Sequence, residues 1–263
     1  MHILLYNFCA FAMQMPLGVL ADKMSRNYVF AITGCLLIVA AYGFRSCPLA
    51  AVLAVGIGNS LFHIGGGADI LNISGEKAGA LGVFVSPGAF GVYFGATLGR
   101  GASMPVFPVI IILIVAAALI YASRRVQGGE YPKNAAFSLE YGASPQILPA
   151  ILCFFLVVCL RSYAGLAFDS PWKSSGYWGV ILVCAVAFGK TAGGFFTDKF
   201  GATKTTVISL AVAALLFAFL QVPAVGVISF FMFNITMPIT LWAMARVFPG
   251  AKAFAFGITT TGI

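Results

Sequence analysis

The stretch Gly18-Val-Leu-Ala-Asp22-Lys23-Met-Ser-Arg26 returns 176 positions later as Gly194-Phe-Phe-Thr-Asp198-Lys199-Phe-Gly201-Ala-Thr-Lys204. Each copy has the form Gly-x-x-x-Asp-Lys, with a further base three or five residues on, and each lies between two long apolar runs. A charged hinge repeated at this spacing in an otherwise greasy chain marks a duplicated bundle of membrane helices.

Composition agrees. Of 263 residues, 61% are hydrophobic and 8% charged, and the mean hydropathy is +1.01. A soluble domain carries about 25% charged residues, so this surface faces something other than water. The net charge of +8 comes from bases set singly or in pairs between apolar runs, without a basic stripe interleaved with aromatics. They read as topology signals, not as a nucleic-acid surface. The six cysteines show no Cys-x-x-Cys spacing and read as small core hydrophobes. Nothing in the sequence calls for a metal or a cofactor.

A spanning helix needs about 20 apolar residues. Such runs occupy 3–20, 28–45, 48–68, 80–99, 104–122, 146–165, 176–195, 205–221 and 223–245, and a tenth starts near Ala253. Backbone in lipid must satisfy its own hydrogen bonds, so the runs are expected to be helices. The expected fold is an all-α membrane protein of two pseudo-repeated bundles, with nine full transmembrane helices and a truncated tenth. With the Asp22 loop cytoplasmic, strict alternation puts eleven Lys and Arg, Lys190 among them, inside or at the inner boundary. Only Arg45, Arg100, Arg161 and Lys173 fall outside. That is the positive-inside bias. Six spans separate the two Asp-Lys loops, so both are expected on one face, as a parallel repeat requires.

The polar stretch from Ser123 to Ser144, with Arg124, Arg125, Glu130, Lys133 and Glu140, reads as a linker. The predicted division is an N-terminal bundle at 1–122, a cytoplasmic linker at 123–145 and a C-terminal bundle at 146–263. No base precedes the first apolar run, the reverse of a signal peptide. With the last run stopping at Ile263, the sequence is expected to be an incomplete bundle.

The two hinges resemble the signature loop of the major facilitator superfamily, Gly-x-x-x-Asp-(Arg/Lys)-x-Gly-x-(Arg/Lys)-(Arg/Lys). Gly18, Asp22, Lys23 and Arg26 match it, with Ser25 in place of its second glycine and Asn27 in place of a base. In the second copy Gly194, Asp198, Lys199, Gly201 and Lys204 match. The resemblance implies coverage of family helices 2 to 11. The runs Gly58-Asn-Ser-Leu-Phe-His63-Ile-Gly65 and Phe233-Asn234-Ile-Thr236-Met-Pro238-Ile-Thr-Leu-Trp242 look like the drug-efflux branch related to fosmidomycin-resistance proteins. Gly82-x-x-x-Ser86-Pro87-Gly88-x-x-Gly91-x-x-x-Gly95-x-x-x-Gly99 resembles the superfamily's antiporter motif, with Ser86 and Phe90 where it has glycines.

The residues also have a physical reading of their own. Gly18 and Gly194 allow a neighbouring helix to come close. Asp22 and Asp198 can accept from the first N–H groups of an adjacent helix, whose dipole favours an anion. Lys23, Arg26, Lys199 and Lys204 face the anionic leaflet and can pair with acids of the opposite bundle. Gly88, Gly91, Gly95 and Gly99 form one smooth helical stripe for a backbone partner, with a bend at Pro87. Ionisable groups within spans are costly and mark pathways. His63, four residues after Asn59, can carry a proton. Asp69 follows the Gly65–Gly67 break near a span's inner end, and Arg161 can attract an anionic substrate or pair with Asp169. Asn234, Thr236, Pro238 and Thr240 interrupt a run at mid-depth ahead of Trp242, as a cavity wall does.

The expected function is therefore a secondary active transporter exporting a small organic compound by alternating access, with protons as coupling ion. Uptake symport is the alternative, as is a fragment inactive by itself. No enzyme motif and no nucleotide loop are present. Its partners are the lipid bilayer, a small-molecule substrate and protons, without nucleic acid. A monomer in the bacterial cytoplasmic membrane is expected.

Overall fold

The computed structural model describes residues 2–44, 46–101, 106–126, 134–139, 147–168, 170–174 and 176–262. Arg45, Glu130, Lys133, Glu140 and Asp169, and with them most of the predicted linker, lie outside the described residues.

Among the described residues eight helices, against the nine full spans expected, are long and apolar enough to cross a membrane: α1 His2–Met24, α2 Asn27–Phe44, α3 Pro48–Ile73, α4 Gly79–Arg100, α5 Val106–Arg124, α6 Ile147–Gly165, α7 Gly176–Phe200 and α9 Pro223–Val247. A shorter apolar helix, α8 Ala202–Phe217, lies between the last two, and α10 Lys252–Thr261 follows them. The described residues contain no strand. Large apolar side chains point outward, with Val92 at 74% exposure and Phe107 at 73%. Such surface is stable only where the surroundings are as apolar as the side chains. The chain is an integral membrane protein.

Three helices are interrupted, each for a local reason. In α1, residues Phe8–Ala12 form a π turn. The carbonyls of Cys9 and Ala10 there accept from Ser60 and from Gln14 Nε2 respectively, the latter at 2.6 Å. Helix α4 breaks at Ser86, before Pro87. Helix α9 breaks at Ile235, because Pro238 has no N–H to donate to the carbonyl of Asn234. The expected break at Gly65–Gly67 does not occur: α3 runs unbroken from Pro48 to Ile73. Those glycines serve packing instead. A Cβ at Gly65 would meet Ala31 N at 2.5 Å, and one at Gly67 the Phe256 ring at 2.7 Å.

The chain forms two compact units, each drawing on both halves of the sequence. Unit 1 is Met1–Ile73, Pro105–Val158 and Met244–Ile263, and unit 2 is Ser74–Met104 and Cys159–Ala243. In unit 1, α2 and α10 pack on α3, with Ile64 and Phe256 almost wholly buried. In unit 2, Trp172, Leu220 and Phe230 form a cluster in which Trp172 Nε1 donates to the carbonyl of Leu220 at 2.9 Å.

Both hinges turn through a left-handed residue. Ser25 has φ 49° and Gly201 has φ 86°. For a residue with a Cβ that region costs about 1–2 kcal/mol, while glycine's extra chain freedom returns about 0.5–1 kcal/mol of this. Ser25→Gly is therefore expected to raise the Tm of the purified protein, by a net stabilisation of about 0.5–1 kcal/mol. A lowered Tm would contradict this account of the turn.

Candidate functional site

Asp22 is 2% exposed and sits one turn beyond Gly18 on α1. Its Oδ1 accepts the N–H of Ala253 at 3.0 Å, and its Oδ2 that of Phe254 at 2.9 Å. These are two of the N–H groups that the first turn of α10 cannot satisfy itself, and the carboxylate also sits at the positive end of the helix dipole. Gly18 makes the approach possible, since a Cβ there would lie 2.5 Å from the carbonyl oxygen of Ala253 and 2.8 Å from Phe254 Cα.

Unit 2 repeats the arrangement. Asp198 Oδ1 accepts the N–H of Ala78 at 2.6 Å and Oδ2 that of Gly79 at 2.9 Å, at the start of α4. A Cβ at Gly194 would lie 2.6 Å from the carbonyl oxygen of Ala78 and 2.9 Å from Gly79 Cα. Position 198 follows 22 by 176, and position 253 follows 78 by 175. The receiving helices carry a repeat that the reading of the hinges missed: Lys77-Ala-Gly-Ala-Leu-Gly82 and Lys252-Ala-Phe-Ala-Phe-Gly257. Its final glycine also packs, with a Cβ at Gly82 falling 2.7 Å from the Lys190 carbonyl and one at Gly257 2.5 Å from the Gln14 carbonyl. Scanning at the hinge offset for a second, fainter repeat would have found it.

The two junctions differ in their surroundings. Asp198 is exposed, whereas Asp22 is enclosed and has Lys252 within Coulombic reach. Beside Asp22, Asn134 Nδ2 donates to the carbonyl of Ala21 at 2.9 Å. Asn134 Oδ1 accepts from Asn27 at 2.8 Å and from Asn72 at 2.7 Å. The Ser138 N–H reaches the Gly250 carbonyl at 3.3 Å. The described part of the linker is thus docked on unit 1. Lys23, Arg26, Lys199 and Lys204 are exposed and form no ion pair with a described acid, while Glu130, Glu140 and Asp169 lie outside the described residues. Lys23 lies over the Phe137 ring and Lys199 over that of Phe200, at 5.0 and 5.3 Å.

No family model matches the sequence, and no curated protein matches it. Among solved structures the chain is similar to FucP, a major facilitator superfamily transporter in its outward conformation, with a TM-score of 0.63 at 14% identity. That match covers 98% of this chain and 78% of the other. It is also similar to a bacterial homologue of the iron transporter ferroportin in an outward-facing state, with a TM-score of 0.57 at 15% identity over 99% and 79% of the two chains. The fold is of the major facilitator type.

Within this fold the other expected residues separate into groups. The glycine stripe is not packed: Cβ atoms at Gly88, Gly91, Gly95 and Gly99 would meet nothing within 4 Å among the described residues. The close contact of the motif is made by Gly82, which faces Gly194, and by Ser86, whose hydroxyl is 2.6 Å from that of Thr191. Asn59 Nδ2 reaches the Ala10 carbonyl at 3.4 Å, and the His63 ring sits edge-on to Phe62. Asp69 is 8% exposed, with Asn27 beside its carboxyl. Its Oδ1 has no hydrogen-bond partner among the described residues.

The supposed wall around the α9 break is mostly engaged with its own helix. Asn234 donates to the Phe230 carbonyl, Thr236 to that of Phe233 and Thr240 to that of Thr236, all at 2.8–2.9 Å. Trp242 lies in the last two turns of α9. Its Nε1 donates to the carbonyl of Glu76 at 3.1 Å, beside the start of α4. Lys190, expected at the inner boundary, is 14 residues into α7 and ten from its end at Phe200. At 1.5 Å per residue that end is about 15 Å away. The reading missed it because α7 continues past the end of the apolar run.

Proposed function

We propose that the chain is a secondary active transporter of the major facilitator superfamily, moving a small organic compound by alternating access. The observation that carries this reading is the reciprocal pair of junctions. The acid of the first sequence half holds a helix start in the second, and the acid of the second half holds one in the first. Contacts of this kind, made in one conformation and broken in another, bias a two-state equilibrium. The sequence halves 1–122 and 146–263 are the two moving bodies, and Lys23 and Lys199 lie on the cytoplasmic side. Asp69 and His63 are the proton-handling groups, both ionisable and both within a span. Export against inward proton flow is the proposed direction, in line with the resemblance to the drug-efflux branch.

Proteoliposomes holding the full chain, an internal pH dye and a panel of small organic compounds test it. At least one compound is expected to move only when a pH gradient is imposed, with protons moving the opposite way. Protons and compound moving together would replace export by uptake symport. Compound movement that survives a protonophore would remove proton coupling, and purified, folded protein that moves nothing in the panel counts against transport.

A further inference from the structure

We propose that residues 134–138, in the connection between the two sequence halves, are a strap across the Asp22 junction that keeps it shut until they lift away. The strap stands on the geometry of unit 1 alone; its part in a transport cycle rests on the transporter reading.

The segment is fastened on both sides of the junction. On the side of the acid, Asn134 Nδ2 donates to the carbonyl of Ala21 at 2.9 Å, and Lys23 lies 5.0 Å from the centre of the Phe137 ring. Ala21 and Lys23 flank Asp22. On the side of the helix start, the Ser138 N–H reaches the Gly250 carbonyl at 3.3 Å. Gly250 comes just before Ala253 and Phe254, whose N–H groups Asp22 accepts. An extended chain from position 134 to 138 reaches about 14 Å, against a helix diameter of about 10–12 Å. It is long enough to bridge two packed helices and has little slack. Opening the junction therefore detaches the strap from at least one side.

The fit is specific at both anchors. The Asn134 carboxamide fills all of its hydrogen-bonding places. Its Nδ2 serves Ala21 and, at 3.1 Å, Asn27 Oδ1; its Oδ1 accepts from Asn27 at 2.8 Å and from Asn72 at 2.7 Å. One side chain thereby ties the end of α1 to the start of α2 and the end of α3. Asn27 is 1% exposed, so its amide loses a partner where water does not readily replace it. At the other anchor, Gly250 leaves room for the strap. A Cβ there would lie 2.9 Å from the Ala136 carbonyl oxygen and 3.0 Å from Ser138 N.

The segment is nevertheless not built into a core. Ala135 and Ala136 are exposed, and Asn134, Phe137 and Ser138 are half-buried. Polar bonds at two points can be given up together, in a local opening that costs less than unfolding. The strapped junction is also the enclosed one, with Asp22 at 2% exposure, while Asp198 in its twin is exposed. The strap thus makes the two copies of the repeat unequal.

Amide hydrogen exchange at single-residue resolution on the purified full chain tests this. The Ser138 amide, outside any helix, is expected to exchange slowly in the unaltered chain. Asn134→Ala removes one anchor, and Gly250→Ala drives a methyl group into the other. Each should speed exchange at Ser138, Ala253 and Phe254 about tenfold, with peptides from 79–85 unchanged. Leu139→Ala, at an exposed neighbour, should leave all of these as they were. An unprotected Ser138 amide in the unaltered chain overturns the strap. So does a freed Ser138 with Ala253 and Phe254 as protected as before, and so does equal acceleration at 79–85, which would mean general loosening. Should Asn134→Ala not fold, Gly250→Ala and the unaltered chain decide. Transport turnover should fall in both variants, though less than in Asp22→Ala. Unchanged turnover with a freed strap removes the strap from the cycle. The expected exchange pattern in protein that transports nothing retains the strap and removes the transporter reading.

Discussion

Asp22→Ala is expected to loosen the start of α10 far more than Asp198→Ala loosens the start of α4. Both remove a carboxylate holding two N–H groups, but Asp22 is 2% exposed and Asp198 is open to solvent. In the first variant the N–H groups of Ala253 and Phe254 lose their acceptor where water does not readily replace it. An unsatisfied buried donor costs about 1–3 kcal/mol, and the lost anion at the helix dipole adds about 0.3–2 kcal/mol. A total of about 3 kcal/mol corresponds to roughly a hundredfold shift in any equilibrium that depends on this junction. In the second variant water takes over the freed donors, and the shift stays under about tenfold. Amide hydrogen exchange reads this directly: peptides from 252–261 should exchange about a hundredfold faster in Asp22→Ala. Peptides from 79–85 should change much less in Asp198→Ala. Transport turnover should fall in the same order. Equal effects in the two variants would mean that burial does not set the strength of these contacts.

Gly18→Val and Gly194→Val are expected to destabilise the protein, while Gly88→Ala and Gly95→Ala leave it as stable or slightly more so. The Cβ of valine at 18 would fall 2.5 Å from the Ala253 carbonyl oxygen and 2.7 Å from its carbon. At 194 it would fall 2.6 Å from the Ala78 carbonyl oxygen. These are backbone atoms that cannot swing aside, so whole helices must separate and the Asp bonds one turn on must lengthen. Overpacking of this kind costs typically about 1–3 kcal/mol, and more where nothing yields. At Gly88 and Gly95 the space is open among the described residues, and replacing a helix-interior glycine by alanine gains about 0.5–1 kcal/mol. Thermal unfolding in detergent should order the four variants this way. Loss of Tm in Gly88→Ala equal to that in Gly194→Val would restore the packing role that the antiporter-like motif suggested.

These two results bear on how much of the molecule could be read from its sequence. The spans were legible because a run of about 20 apolar residues has one stable form in lipid, and the helices differ from those runs mainly at their ends. The hinges were legible because Gly18, Asp22, Gly194 and Asp198 sit in a local pattern that the chain prints twice. Lys190 was not, because a base near the end of an apolar run resembles a boundary marker until the helix is seen to continue to Phe200. Gly88 to Gly99 misled in the opposite sense: spacing shows that a smooth stripe exists, and cannot show that anything lies against it.

By itself the sequence determined the helical class, the order of the apolar runs and the duplicated acid-base hinges, since all of these depend on residues near one another in the chain. Only the tertiary structure decided where the acids bond. Asp22 bonds to helix starts 231 and 232 residues later, and Asp198 to ones 120 and 119 residues earlier. It also decided that one junction is enclosed while its twin is open. Hydrogen bonding to a distant helix and burial follow from which helices come together, and that choice is made by packing over the whole chain.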